Sequence, residues 1–273
     1  MIVSLPIALE QIGLAGARLD SIHACEAGAG NISVVLREAP GLDAVFPLAE
    51  PFELPVPAPH LAGWTALVTG SGQRLRDVVG SPRATLAAVA IGGDGRSGVL
   101  RSAPERAWRT PTSEFNSHLA AHEDRVARCP DLDSHAVVHA QPPYLVALSH
   151  AVAGGDSVAF NRRIMRWEPE TIVQLPDGLA VLEFMVPGSR RLQEASVAAL
   201  REHRIVVWSK HGVLGRSDTG PLAIVDLIEY AETGALYEHL NAAAGGAASG
   251  LTSAELRAVV EAFSVEADPS LFE

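Results

Sequence analysis

Residues Asp131 to Ala151 read DLDSHAVVHAQPPYLVALSHA. The run Ala136-Val137-Val138 has the apolar character of a short buried strand, and it delivers His139 to its C-terminal end. Gln141 stands two residues on, so strand alternation points it to the same side. Pro142-Pro143 stops the strand, and the residues after it read as a helix. The segment is strand, chemical side chain, turn, helix, the alternation of a layered α/β protein.

Two further segments match it. Upstream, Pro111-Thr112-Ser113-Glu114 opens a helix to about Ala127, with Ser113 the expected N-cap and Glu114 in the first turn, where the helix dipole favours a carboxylate. His118 and His122 follow Glu114 on the same helix face. The chain has no H-E-x-x-H, so a helical zinc-protease site is disfavoured. Downstream, the buried strand Ile205-Val206-Val207-Trp208 leads into Ser209-Lys210-His211-Gly212 and a second strand at Val213-Leu214-Gly215. One carboxylate and two histidines, each at an element boundary, read as a metal site with a base beside it. Zn²⁺ accepts imidazole from His139 and His211, and needs a third protein ligand while keeping a position open. Gln141 is adjacent, with an amide oxygen that is a weaker donor than imidazole. A metal there would polarise a carbonyl, with Glu114 as the nearby base.

Two small-residue turns suggest an anionic handle. Glu26-Ala27-Gly28-Ala29-Gly30-Asn31 precedes the strand Ile32 to Leu36, and the strand Trp64 to Val68 runs into Thr69-Gly70-Ser71-Gly72. Converging backbone N–H groups and hydroxyls are what a phosphate needs, although either turn alone also serves as a plain connection. Together these parts suggest proton abstraction beside a carbonyl in a sugar phosphate.

The rest of the chain alternates in kind. Leu5 to Cys25 has helical spacing of apolar residues, and residues 40–59 are proline-rich and read as a long surface loop. Thr85 to Ile91 and Gly98 to Arg101 read as strands around Gly93-Asp94-Gly95. Asp156 to Met165 reads as a helix, and Val173 to Val181 as two short strands around Pro176-Asp177-Gly178. Ser189 to His203 is an amphipathic helix, Thr219 is the expected cap of a long helix through Ala242, and Thr252 caps a last helix to Phe263. The residues beyond it read as a loose tail or a subunit-contact arm. Without repeats or a clear boundary, residues 1–273 read as one domain, with a Gly/Ala linker near 243–250.

Composition excludes several classes. A net charge of −11 argues against general binding of nucleic acid or anionic membranes. Cys25 and Cys129 fit no zinc or redox spacing, which suits reduced thiols and a cytoplasmic setting. The first residues lack the basic region and cleavage site of a leader, and no apolar run reaches the roughly 18 residues that span a bilayer.

In order and spacing, GAGNIS, TGSG, PTSE, His139-x-Gln141, PDG, MVPGS and SKHGVLG resemble the class II aldolase/adducin family from about Leu9 to Phe263. The resemblance implies a three-layer α-β-α sandwich with a mixed, largely antiparallel central sheet. It implies a homotetramer with sites near subunit borders, and reversible cleavage of a ketose 1-phosphate to dihydroxyacetone phosphate and an aldehyde. Glu114 matches the family's acid/base, and Glu170 a second acidic residue assisting at the aldehyde end. His139 and His211 match ligands of Zn²⁺. Gly28, Asn31, Ser71, Gly72 and Ser113 match the residues that hold the phosphate. The departure is Gln141, which stands where the family's H-x-H pair has its second histidine. Three outcomes are open: Gln141 coordinates through Oε1, for zinc or a harder divalent metal; His150 or His135 substitutes; or the metal is lost. An epimerase or dehydratase of the same family is an alternative, as is a non-catalytic adducin-like protein with a degenerate site.

Overall fold

A computed structural model describes residues 4–152 and 155–272; the N-terminal reading therefore lies partly outside the described residues. Among the described residues, nine strands form one sheet: β1 Asn31–Leu36, β2 Leu48–Glu53, β3 Thr65–Thr69, β4 Leu86–Ile91, β5 Ser97–Ser102, β6 Ser134–Ala140, β7 Ala180–Leu182, β8 Ile205–Trp208 and β9 Gly212–Ser217. Their order is β2-β5-β4-β3-β1-β6-β9-β8-β7, antiparallel throughout except for the parallel pair β7 and β8. The helices are α1 Leu5–Ser21, α2 Leu42–Val45, α3 Pro82–Thr85, α4 Phe115–Arg128, α5 Pro143–Ala151, α6 Ser157–Met165, α7 Pro169–Gln174, α8 Arg190–Leu200, α9 Pro221–Ala243 and α10 Ser253–Phe263.

Two-residue alternation decides the layers. Ile32, Val34 and Leu36 of β1, with Ala136, Val138 and Ala140 of β6, pack beneath α1, α5, α6 and α9 in the main core. The opposite face presents Val35, Val68 and Val89 to α4, and Val137, Val206 and Leu214 to α4 and α8. The expected sandwich of helices on both faces of a mostly antiparallel sheet is what the chain forms. The central strands are buried on both faces, which is why they read as near-continuous apolar runs.

Several local expectations are corrected. The proline-rich stretch is not all loop: it carries α2 and the edge strand β2, whose exposed residues include Pro51. An edge strand tolerates proline and an exposed face, so neither apolar alternation nor continuity announces it. Val173 does not begin a strand, because Pro169 at a helix N-terminus starts α7 and only Ala180–Leu182 is extended. Thr219 does not cap α9; its hydroxyl meets Ser217 Oγ at 3.0 Å, and Gly220-Pro221 starts the helix. The segment after α10 is docked rather than loose. Leu271 and Phe272 are buried in the main core, and Arg162 Nε donates to Ser270 O at 2.8 Å. Thr252 caps α10 as expected, with a full capping box, and Asp156 and Ser189 cap α6 and α8.

Candidate active site

The site lies where β1, β6, the β8–β9 turn and the start of α4 meet. Register places Asn31 of β1 opposite His139 of β6. Glu114 immediately precedes α4 and is buried over this pair. It is the N-terminal flanking residue of the helix, and Ser113 makes no capping bond, which corrects the expected N-cap. Asn31 Nδ2 donates to Glu114 Oε2 at 2.9 Å. His211 arrives on a three-residue hairpin loop between Trp208 and Gly212, with Lys210 in the left-handed region at φ 66°. Gly212 is required there, since an added Cβ would strike Ala140 O and lie 2.9 Å from His139 Cε1.

His139 Nδ1 is 2.9 Å from Val213 O; a carbonyl only accepts, so Nδ1 carries the proton. Its other ring nitrogen, Nε2, is left facing the site, 3.5 Å from Glu114 Oε2. His211 Nε2 lies 3.7 Å from Glu114 Oε1. Burial, then the neighbouring His139, lowers His211 to a pKa of about 4 against the pull of Glu114, so its imidazole is neutral near pH 7. Trp208 walls the two rings, with centroids 4.8 Å from His139 and 5.2 Å from His211, and its Nε1 donates to Ser196 Oγ at 2.8 Å.

This donor set fits a divalent cation. Ligand atoms of Glu114, His139 and His211 all lie within 4.8 Å of one another. Glu114 Oε1 and His211 Nδ1 are buried without a hydrogen-bond partner, a costly state that a cation at Glu114 would relieve in part. The bond from His139 Nδ1 to a backbone carbonyl is the orienting contact that ligand histidines use.

Gly28, Asn31, Ser71, Gly72 and Ser113 line the same cleft of about 210 Å³ as Glu114, His139, Gln141 and His211. Nine of the ten residues singled out in the sequence therefore converge. Glu170 does not: it is exposed on α7, outside this lining. Among the described residues, no arginine or lysine lines the cleft, so the donors it could offer an anion are backbone and side-chain amides and hydroxyls. His135 and His150 do not stand in for the missing histidine. His150 is exposed on α5, and the ring of His135 packs edge-on against His122 with Nδ1 atoms 2.8 Å apart.

The sequence reading left His118 and His122 without a role and offered His135 only as a substitute ligand. They form a buried polar stack under the site: Ser33 Oγ lies 2.7 Å from both His118 Nδ1 and His122 Nε2, and His122 continues to His135. Burial holds all three imidazoles below their ordinary range, His135 at about 3. A second overlooked residue is Glu26, beside Gln141. The helical spacing of Glu114, His118 and His122 announced one side of the stack; nothing local announced its partners on β1 and β6.

The family described as Class II Aldolase and Adducin N-terminal domain matches residues 10–237, and the chain belongs to it. Its sequence is 35% identical over 210 residues to rhamnulose-1-phosphate aldolase of Listeria welshimeri, covering 76% of this chain and 73% of that protein. The rhamnulose-1-phosphate aldolase of Klebsiella pneumoniae is 31% identical over 249 residues, 88% of this chain and 87% of that one. Among solved structures, a sugar-phosphate aldolase from Thermotoga maritima superposes with a TM-score of 0.73 at 25% identity, over 88% of this chain and 97% of that one. Among the described residues, no helix is long and apolar enough to cross a membrane.

Proposed function

We propose that the chain is a metal-dependent aldehyde-lyase that reversibly cleaves a ketose 1-phosphate, foremost L-rhamnulose 1-phosphate, to dihydroxyacetone phosphate and L-lactaldehyde. The observation that carries this reading is the buried Glu114 carboxylate facing both imidazole Nε2 atoms, at 3.5 and 3.7 Å, at the floor of a phosphate-sized cleft. The likeness to two rhamnulose-1-phosphate aldolases supports the substrate.

His139, His211 and Gln141 would hold the metal, Zn²⁺ or another divalent cation, with Glu114 beside it. Bound there, the cation supplies Lewis-acid withdrawal of electrons from a substrate carbonyl. Gly28, Asn31, Ser71, Gly72 and Ser113 hold the phosphate, fixing the carbon beside the carbonyl against Glu114. In the synthetic direction Glu114 removes a proton from that carbon, the freed electron pair delocalises onto the carbonyl oxygen, and the carbon then attacks the aldehyde, whose oxygen takes up a proton to become the product hydroxyl. In cleavage the hydroxyl at the aldehyde end gives up its proton as the carbon–carbon bond breaks to form the aldehyde carbonyl, and Glu114 returns a proton to the released carbon. Asn31, donating to Glu114 Oε2, aims the carboxylate. Glu170 lies outside the cleft of its own protomer, so its assistance at the aldehyde end requires a site at a subunit border of a homotetramer. A cytoplasmic setting suits the two free cysteines, Cys25 and Cys129.

The test pairs elemental analysis of chelator-free protein with a coupled assay for dihydroxyacetone phosphate released from L-rhamnulose 1-phosphate. Near-stoichiometric divalent metal is expected, and Glu114→Gln should lower kcat by about 10²- to 10⁴-fold, the usual worth of a positioned acid/base. An unchanged rate removes Glu114 as the base, and failure to take up Zn²⁺ or Co²⁺ removes the metal.

A further inference from the structure

The geometry points to Glu26 as the positioning residue that makes Gln141 a metal ligand, an inference resting on the metal reading above. The Gln141 amide has two ends, and its surroundings choose between them. With Nε2 toward Glu26 it donates to Oε1 at 2.8 Å and Oε2 at 3.3 Å; the reverse orientation sets an amide oxygen against a carboxylate. Once Nε2 is held by Glu26, the planar amide turns Oε1 away from that carboxylate, toward the cleft that Gln141 shares with His139 and His211. The Gln141 stem is fixed on that side as well, because its Cγ is packed close to Gly212, the residue after His211.

The contact is built into the backbone. Gln141 N donates to Ala24 O at 2.7 Å, which ties the end of β6 to the turn carrying Glu26. That turn holds two residues without glycine's freedom in the left-handed region, His23 at φ 58° and Ala27 at φ 50°, on either side of Glu26. Such conformations are costly for L-residues and persist where the surrounding structure over-determines them, often at functional sites. Glu26 pairs with no arginine or lysine among the described residues; the Gln141 amide is its side-chain partner.

The chemistry follows that of metal-bound histidine. A ligand histidine is oriented and made more basic by a carboxylate that accepts from its far nitrogen. Here the amide N–H takes the place of the far imidazole N–H. Donation to a charged carboxylate polarises the amide and adds negative charge to Oε1, the atom on the cleft side. A neutral amide is a weak ligand by itself; an amide backed by Glu26 is a better one. The substitution that reads as a lost histidine is thus compensated from a turn far away in sequence.

The test is a titration of metal-free, full-length protein with Zn²⁺ by calorimetry, and with Co²⁺ by its visible absorption. Glu26→Ala should weaken Zn²⁺ binding about 10- to 100-fold, the usual effect of removing such an outer partner, and should alter the Co²⁺ spectrum. Glu26→Gln keeps a neutral acceptor for the amide and should recover part of the loss. In a Gln141→Ala background, Glu26→Ala should add nothing further. If Glu26 is instead a direct ligand, Glu26→Gln will be as weak as Glu26→Ala and the loss will persist without Gln141; either result overturns the assignment. A Zn²⁺ affinity that Glu26→Ala leaves at the wild-type value overturns only the role of Glu26. Wild-type protein that binds no metal overturns the metal reading and this inference together.

Discussion

Acidification from pH 7 to pH 5 probes the buried polar stack directly. Burial, followed by the charges of Arg216 and Arg125, lowers His135 from 6.5 to about 3. Across that window the unfolded chain binds a proton at this residue and the folded chain does not, so stability falls as pH falls. Integrated between pH 7 and pH 5, His135 alone costs about 2 kcal/mol. His118 and His122, lowered chiefly by burial, act in the same direction. One buried acid opposes them. Burial raises Glu232 from 4.5 to about 7, against the hydrogen bonds it accepts from Tyr144 N and Leu145 N, both 2.8 Å. A raised carboxyl contributes stability that is full below 4.5 and is lost as pH rises through 7, so acidification restores about 2 kcal/mol. His135 and Glu232 therefore nearly cancel in the native chain, and Glu232→Gln should unmask the histidines. The measurement is urea unfolding with chelator present, at fixed protein concentration because assembly shifts apparent stability, between pH 7 and pH 5. Ordinary carboxylates stay ionised over most of that range. Glu232→Gln should lose about 2 kcal/mol more than wild type on acidification. A variant whose stability is flat, or rises toward pH 5, would refute the idea that these imidazoles are held neutral by burial.

Two substitutions test how the site is held. Gly212→Ala places a Cβ against Ala140 O, 2.9 Å from His139 Cε1 and 3.2 Å from Gln141 Cγ, so β6 and β9 must part beside the site. It should cost about 1–3 kcal/mol in thermal or urea unfolding and weaken Zn²⁺ binding in the same protein; unimpaired metal affinity would count against the close packing. Asn31→Ala removes the 2.9 Å bond to Glu114 Oε2. It should lower kcat/KM about 10- to 100-fold, the worth of one hydrogen bond to a charged group, without unfolding the chain, as read by steady-state kinetics and far-UV circular dichroism.

What could be read in advance follows from where each signal resides. β6 was legible because a buried central strand is apolar on both faces, and its end was legible because Pro142-Pro143 breaks the pattern. The turn bearing His211 was legible for the same reason, as a short polar interval between two apolar runs. β2 was not, since an exposed edge strand containing Pro51 carries neither signal, and α7 hid because six residues are too few for helical periodicity. The docked end of the chain depends on Leu271 and Phe272 finding a core built by other elements, which no local pattern encodes.

The same distinction separates the two halves of the candidate metal site. Glu114, His139 and His211 each sit at an element boundary, where sequence punctuation exposes them, and the departure at Gln141 is visible by its spacing from His139. Glu26 has no such mark, because its turn reads as any glycine-rich connection. What selects it is the bond from Gln141 N to Ala24 O, a contact between segments more than a hundred residues apart. A missing ligand is a property of one position and can be seen in a string of letters. Its compensation is a property of a distance, so a site that appears degenerate in sequence has to be judged by which side chain faces the replaced one.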